Sequence, residues 1–394
     1  MKPENYCYVC KGTKNMCGLG YCPVLKRLGA QQGAIKEMGR NVFGEGKEVF
    51  VGSYGYPDIS WGPVLPRGTY LGEREIYERG YVDIIEYRSN VVRGKRFGGV
   101  MPGKRLVKET QEAAMSLKPV DLEMEFTKKP VFDMSFSSVS QPIGGAAPLR
   151  KVQVCNNPKV PKLVDELCEE GVKARSAVEE LYSSGLDNYY ISNVLSAGVL
   201  GSSGKRRMVP TRWGITATDD MVGKFLMGKV RGHGEIGEHY LLSHESLSNH
   251  FEILVMPGRW EFENFEAWAP KTVWTMEGSG FRVSAEYEPF WGRGTYAEKQ
   301  AGAYYSVRLG VLEFLHRIRK QGRVVAIREI YEGYQVPVGV FQVRENVRDA
   351  TLSIRKFSDM KEALGEMGKG LRNSVWEYVR RSRVIGQRRL MEFL

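Results

Sequence analysis

Four of the six cysteines in this 394-residue chain fall within its first 22 positions, as Cys7, Cys10, Cys17 and Cys22. The pattern C-x2-C-x6-C-x4-C is two close pairs joined by a short loop. Four thiolates so spaced can converge tetrahedrally on one ion, an arrangement that suits Zn²⁺. Gly12, Gly18 and Gly20 supply the tight turns such knuckles need. A segment this short buries no core of its own, so a bound metal would provide most of its order, about 10–16 kcal/mol. Two alternatives stay open beside zinc. An iron–sulfur cluster takes the same four ligands, and disulfides are expected in exported chains or in hyperthermophiles. Cys155 and Cys168 lie far from the module and read as buried or free thiols.

The remainder has the composition of a folded protein. With 42% hydrophobic and 26% charged residues, a largely disordered chain is excluded. The length predicts two or three domains. The most apolar stretches, such as Phe251–Met256 (FEILVM), fall far short of the roughly 18 residues of a membrane span. The opening MKPENYCYVC lacks an apolar signal-peptide core. The expectation is a soluble cytoplasmic protein with no membrane partner.

Lysine and arginine total 57 against 46 acidic residues, a net charge of +11. The excess is clustered. Arg93, Lys95, Arg96, Lys104, Arg105 and Lys108 form one stretch; Lys205, Arg206, Arg207 and Arg212 a second; and Arg380, Arg381, Arg383, Arg388 and Arg389 a third. Polyanions are natural partners for such clusters, because each phosphate contact releases a counterion.

Residue patterning predicts an α+β fold, with mixed helices and strands around a main body and a small N-terminal zinc module. Residues 1–30 form the four-cysteine module, 31–155 a strand- and turn-rich region, 156–380 a mixed main domain, and 381–394 a basic tail. Strand-like runs are Val49–Val51, Val82–Tyr87, Met134–Val139, Phe251–Met256, Thr272–Met276, Arg282–Tyr287 and Val324–Tyr331. Pro57–Gly72 reads as a long loop. Pro23–Gly39 reads as one or two short helices. The stripe Leu163–Leu181 describes one amphipathic face, Tyr304–Arg319 a buried helix, and Met360–Tyr378 a last helix.

The stretch RRMVPTRWGITATDD (Arg206–Asp220) packs basic, aromatic and acidic groups closely. Lys205, Arg206, Arg207 and Arg212, with Arg96 and Arg105, are candidates to hold phosphates, and Trp213 to stack on a base. Asp219 and Asp220 after Thr218 fit the capped first turn of a helix. They also fit paired carboxylates holding Mg²⁺. GVLGSSGK (Gly198–Lys205) resembles a phosphate-binding loop, but it is one residue too long between its glycines and has Arg206 where Ser or Thr belongs, so a Walker ATPase is excluded. His233, His239, His244 and His250 lie close in sequence at spacings that match no zincin pattern. With Asp219 and Asp220, His250 is the candidate acid/base group of an enzyme reading. Most of Trp260, Trp268, Trp274 and Trp291 read as core. The Arg-Glu doublets Arg328–Glu329 and Arg344–Glu345 read as structural ion pairs.

The last residues, GQRRLMEFL, place Gln387, Leu390, Phe393 and Leu394 at offsets of three, six and seven. Three large apolar groups so spaced share one side of a helical turn and need something to receive them. This layout resembles the peptide that binds the sliding clamp PCNA, in which glutamine enters a polar pocket and the apolar trio a hydrophobic one. Leu394 stands where a strong clamp peptide carries an aromatic. Burying three such side chains yields about 5–9 kcal/mol, and ordering the tail costs about 2–5. The alternative is that the tail docks on the protein's own surface.

The whole chain, from Cys7 to Leu394, resembles the archaeal Nre family of DNA-repair proteins. The resemblance is carried by CGLGYCPVLKRL (Cys17–Leu28), RRMVPTRWGITATDD, NHFEILVMPGRWEFENFEAW (Asn249–Trp268), YYSVRLGVLEFL (Tyr304–Leu315), VPVGVFQVRENVRDA (Val336–Ala350) and the terminal peptide. It implies an archaeal cytoplasmic factor acting in DNA repair with PCNA, and it supplies no chemical activity. Three readings follow: a DNA-binding repair factor tethered to the clamp, an enzyme acting on DNA or a nucleotide, and an adaptor joining the clamp to other repair proteins.

Overall fold

Alternation and breaker residues decide most of the elements. The computed structural model describes residues 10–14, 16, 20–101, 105–132, 143–272, 275 and 279–386, and of residues 34–37 and 105 the backbone alone. Cys7, Cys17, Met134–Val139, most of Thr272–Met276 and Gln387–Leu394 lie outside the described residues. The chain divides into two compact units, one made of Cys22–Phe136 and Gln141–Val222, here the N-terminal unit, and one that takes in Gly223–Leu394 together with Met1–Tyr21 and Ser137–Ser140, here the C-terminal unit.

The N-terminal unit contains helices α1 (Pro23–Glu37), α2 (Glu73–Glu78), α3 (Tyr81–Ser89), α4 (Arg105–Met115), α5 (Lys162–Glu170), α6 (Ala174–Ser183) and α7 (Asn188–Ser196). Helix α8 (Thr211–Val230) begins in this unit. Strands β1 (Asn41–Gly46), β2 (Glu48–Val51), β3 (Asp58–Leu65), β4 (Val92–Gly99), β5 (Val120–Phe126) and β6 (Gly145–Val154) form one sheet in the order β1-β5-β6-β4-β3-β2. The β4–β6 pair is parallel and the others antiparallel. In β5, Val120, Leu122, Met124 and Phe126 alternate inward, as a sheet with one covered face requires. They pack with Leu65, Val92, Leu149 and Ala113 of α4.

Several local readings change here. Half of Pro57–Gly72 is strand β3, because Gly62 and Pro63 are not breakers but fitted parts of it. A Cβ on Gly62 would lie 2.1 Å from the Gly94 carbonyl oxygen, so only glycine admits the neighbouring strand. Val82–Tyr87 is the core of helix α3 rather than a strand. Pro23–Gly39 is one helix. The stripe Leu163–Leu181 is two helices, separated where Gly171 takes φ +66°.

The C-terminal unit adds strands β7 (Gly234–Glu235), β8 (His239–Ser246), β9 (Asn249–Met256), β10 (Glu261–Trp268), β11 (Arg282–Glu288), β12 (Lys320–Gln321), β13 (Arg323–Ile330) and β14 (Ile354–Phe357). Its helices are α9 (Gly302–Arg317), α10 (Phe341–Ala350), α11 (Met360–Gly370), α12 (Val375–Val379) and α13 (Arg383–Gly386). The main sheet runs β11-β10-β13-β9-β8-β14, with β10 and β13 parallel; β7 and β12 pair separately. Every residue of β9 is buried, because helices cover both faces. Leu254, Phe265 and Ile327 meet Leu364, Met367 and Tyr378 of α11 and α12 on one side. On the other, Phe262 meets Tyr304 of α9 at 5.4 Å. The single last helix read from Met360–Tyr378 is therefore two, broken at Leu371–Ser374. The expected strands Phe251–Met256, Arg282–Tyr287 and Val324–Tyr331 and the helix Tyr304–Arg319 are present. The fold is α+β. Among the described residues no helix is long and apolar enough to cross a membrane.

Candidate nucleic-acid interface

Three separate stretches of the N-terminal unit meet at one end of its sheet. The antiparallel pairing of β3 and β4 sets Asp58 opposite Gly99, Ser60 opposite Phe97 and Trp61 opposite Arg96. Past the strand ends, the Val100 amide donates to the Pro57 carbonyl at 3.1 Å, and the Met208 amide to the Val100 carbonyl at 2.8 Å. This brings the 205–208 loop beside the end of β4. The Val51 amide donates to Thr211 Oγ1 at 2.9 Å, and that hydroxyl donates back to the Val49 carbonyl at 3.3 Å. Edge strand β2 is thus tied to the first turn of α8. In that turn the Trp213 amide donates to the Pro210 carbonyl at 2.7 Å, which fixes where Arg212 and Trp213 project.

A tight turn completes the cluster. Asp58 donates its amide to the Gly55 carbonyl at 3.0 Å. Gly55 has φ +82°, and a Cβ there would meet the Asp58 carbonyl oxygen at 2.7 Å, so the turn requires glycine. It presents Tyr54 and Tyr56. The Tyr56 and Trp213 rings lie 5.3 Å apart, inclined at 53°. Tyr54, Tyr56, Phe97, Met101 and Trp213 are all exposed large apolar groups. Lys95, Arg96, Lys205, Arg207 and Arg212 are exposed, as is Asp58; along β4, Lys95 and Phe97 point to the face opposite Arg96.

The candidate residues named from sequence separate into two groups. Arg96, Lys205, Arg207, Arg212 and Trp213 belong to this surface. Arg105 opens α4, and its side chain lies outside the described residues. Arg206 is turned inward instead. Its guanidinium donates to the Gly201 carbonyl at 3.0 Å and to Cys168 Sγ at 3.1 Å, and also to the Cys168 carbonyl. It holds the loop to the end of α5. Tyr54, Tyr56 and Phe97 were missed. Their signal was an aromatic-glycine alternation (SYGYP) and a phenylalanine inside a basic run, neither matched to an apolar stripe.

The proposed acid/base trio is distributed differently. Asp219 and Asp220 lie mid-way along α8, not in a capped first turn, since the helix starts at Thr211. Gly214 permits this by letting α8 approach α7: a Cβ there would lie 2.3 Å from Ser196 Oγ. Asp219 is fully buried and accepts from Asn188 Nδ2 at 3.1 Å; Asp220 is half-buried. Adjacent positions on a helix diverge by about 100°, which turns the two carboxylates apart. His250 belongs to the other unit, where its ring contacts Glu252 at 3.0 Å and Glu245 at 3.3 Å. Burial pushes this imidazole toward neutrality, but the hydrogen bond and charge of Glu252, with Glu245 and Glu329, outweigh it and raise its pKa. The other histidines diverge as well. His233 stacks on His316, with ring nitrogens 3.3 Å apart, and His244 reaches Asp349 at 3.6 Å.

Of the cysteines, Cys10 is buried and closes a turn with Thr13, whereas Cys22 precedes α1. Among the described residues no three His, Cys, Asp or Glu side chains are grouped to hold a metal. The N-terminal unit also holds one displaced acid. Burial, then the charge of Glu48, pushes the Glu73 carboxyl up to about 7, with Arg88 pulling the other way.

Comparison with known proteins follows the same chain from end to end. Residues 16–275 match the family model "Archaeal Nre, N-terminal", and residues 288–393 match "Archaeal Nre, C-terminal". The chain belongs to the archaeal Nre family. It is 32% identical to the DNA repair protein NreB of Archaeoglobus fulgidus, over 98% of this chain and 100% of that one. It is 32% identical to that organism's DNA repair protein NreA, over 94% and 95% of the two chains. Identity to the DNA repair protein NreA of Haloferax volcanii is 36%, over 78% of this chain and 77% of the relative. No solved structure matches. In this Nre chain the gap between the two family models falls between β10 and the end of β11, inside the C-terminal sheet.

Proposed function

We propose that this Nre protein is a DNA-repair factor that binds DNA through the basic, aromatic end of its N-terminal sheet. The reading rests on one observation: Arg96, far in sequence from Arg207, Arg212 and Trp213, is brought by backbone and side-chain hydrogen bonds to the same exposed end of the sheet. Its repair role is supported by relatives named DNA repair proteins along the full chain. Guanidinium and ammonium groups so placed neutralise backbone phosphates, while exposed rings offer base contact. The tail Gln387–Leu394 would tether the protein to PCNA, with Leu390, Phe393 and Leu394 in its apolar pocket. Cys7, Cys10, Cys17 and Cys22 would hold one structural Zn²⁺.

The deciding experiment is DNA binding across a salt series. Log K should fall with log salt by about 0.9 per duplex phosphate contact. Changing Arg207 and Arg212 to Gln should flatten that slope. No binding at low salt would leave the adaptor reading instead. Deleting Gln387–Leu394 should abolish clamp binding in a pull-down without lowering the melting temperature; a large drop would mean that the tail staples the protein's own surface. Metal analysis should find about one zinc per chain, and iron would reassign the module.

A further inference from the structure

We infer that the surface around Trp213 receives unpaired bases, so that the DNA this protein engages is single-stranded. This rests on the DNA-binding reading above and narrows it. Backbone phosphates alone call for cations. They give no reason for aromatic side chains such as Tyr56 and Trp213 to stand in water beside those cations. Tyr54 is 95% exposed, Phe97 70%, Trp213 47% and Tyr56 41%. Paired exposed rings of this kind on a folded surface are retained where something covers them, and the exposed Arg96, Lys205, Arg207 and Arg212 at the same end of the sheet select a polyanion as the cover. In a duplex the base faces are already stacked on one another, and a ring at the protein surface has nothing to receive. In a single strand every base has a free face, and stacking on aromatic side chains is the usual means of holding it.

The geometry suits that use. Tyr56 and Trp213 are inclined at 53°, so neither ring covers the other as a parallel stack would. Both are held by backbone, through the Gly55 turn and the Pro210–Trp213 turn, so little ordering is needed on binding. Trp291 of the C-terminal unit provides a contrast. It is 81% exposed, yet it contacts the Phe290 ring at 4.9 Å and carries the Arg231 guanidinium at 5.7 Å. Trp213 has the Tyr56 ring beside it and Arg212 next to it in the chain.

The test uses the full-length protein, a fluorescent oligothymidylate of about 15 nucleotides, a duplex of equal length and the ribo-oligonucleotide of the same sequence, at one salt concentration. The single DNA strand should bind about 10-fold more tightly than the duplex. Trp213→Ala should weaken single-strand binding about 10-fold while changing duplex binding less than about two-fold, and Trp213→Phe should restore most of the loss. Tyr54→Ala, at the most exposed of the rings, gives a second variant whose circular dichroism should match the parent, with a loss of about five-fold. The inference is overturned if the duplex binds as tightly as the strand, if the ribo-oligonucleotide binds more tightly, or if the aromatic variants bind both DNA forms equally well or equally poorly. If those variants are silent but Arg207→Gln with Arg212→Gln still flattens the salt dependence, DNA binding stands and the single-strand assignment falls. If the parent binds no DNA at low salt, both fall.

Discussion

Arg96, Arg207 and Arg212 of the N-terminal unit face solvent, whereas Arg308, Arg328 and Arg344 of the C-terminal unit are buried. The same contrast holds for the acids. In the C-terminal unit Glu252, Glu263, Glu266, Glu288, Glu329 and Glu345 are all buried; in the N-terminal unit the buried charges among the described residues are Arg27, Arg93 and Asp219. The buried acids are well partnered. Glu288 meets Arg308 at 2.6 Å with both side chains inaccessible, and Glu266 meets Arg328. Glu329 accepts from the Arg372 and Asn373 amides and from the hydroxyls of Tyr331 and Tyr378, at 2.8 to 3.0 Å. Glu263 accepts from Ser382 Oγ and from the amides of Arg383 and Val384 at the start of α13. Charge inside a unit adds little net stability but fixes which groups must meet. Charge left outside is free to meet a ligand. Arg308, Arg328 and Arg344 therefore serve the architecture of their own unit, whereas Arg96, Arg207 and Arg212 are presented to solvent.

This contrast can be broken by mutation. The largest effect should follow Arg308→Met, which leaves Glu288 buried without its cation and should cost about 3–5 kcal/mol by denaturant unfolding. A loss below about 1 kcal/mol would mean that the pair is no more than a surface-like contact. The next effect depends on pH. The Glu73 carboxyl binds its proton more tightly when folded than unfolded, so its contribution to stability is present at acid pH and is lost as pH rises from the ordinary carboxylate range through about 7. Glu73→Gln should therefore stabilise the protein at pH values above 7, by about 2 kcal/mol, and flatten its pH–stability curve. Arg206→Ala should cost about 1–2 kcal/mol, because the Cys168 carbonyl loses its donor, while leaving the salt dependence of DNA binding unchanged. Replacing Arg207 and Arg212 by Gln should alter stability by less than about 0.5 kcal/mol and change that salt dependence instead. If Arg206 and Arg207 exchange these outcomes, the division between structural and presented arginines is misdrawn.

Much of the second unit was legible from periodicity. Leu254, Leu312 and Val324 sit in long apolar patterns that leave little choice between helix and strand, and β9, α9 and β13 emerge where expected. The misreadings have local causes. Gly62 and Pro63 look like loop residues until the close approach of Gly94 is known. Tyr81–Ser89 is rich in β-branched and aromatic residues and becomes helix only through tertiary packing. The surface was legible in its cations and invisible in its convergence, because Val51–Thr211 and Val100–Met208 are contacts across long stretches of chain. Arg206 and Arg207 are adjacent and chemically identical, and the acceptors on Gly201 and on Cys168, 38 residues away, tell them apart. The same holds for the histidines, whose closeness in sequence along β8 and β9 does not survive the alternation of strand faces.

One consequence concerns inheritance. Strand β10, from the first family segment, pairs along its length with β11, whose last residue opens the second, and also with β13, which lies wholly in the second. The two segments thus contribute interleaved strands to one sheet. A recombination event that swapped either segment for one of unrelated descent would have to match eight consecutive registers, from Glu261↔Arg323 to Trp268↔Ile330. In this chain the two segments are parts of one sheet rather than two separable modules.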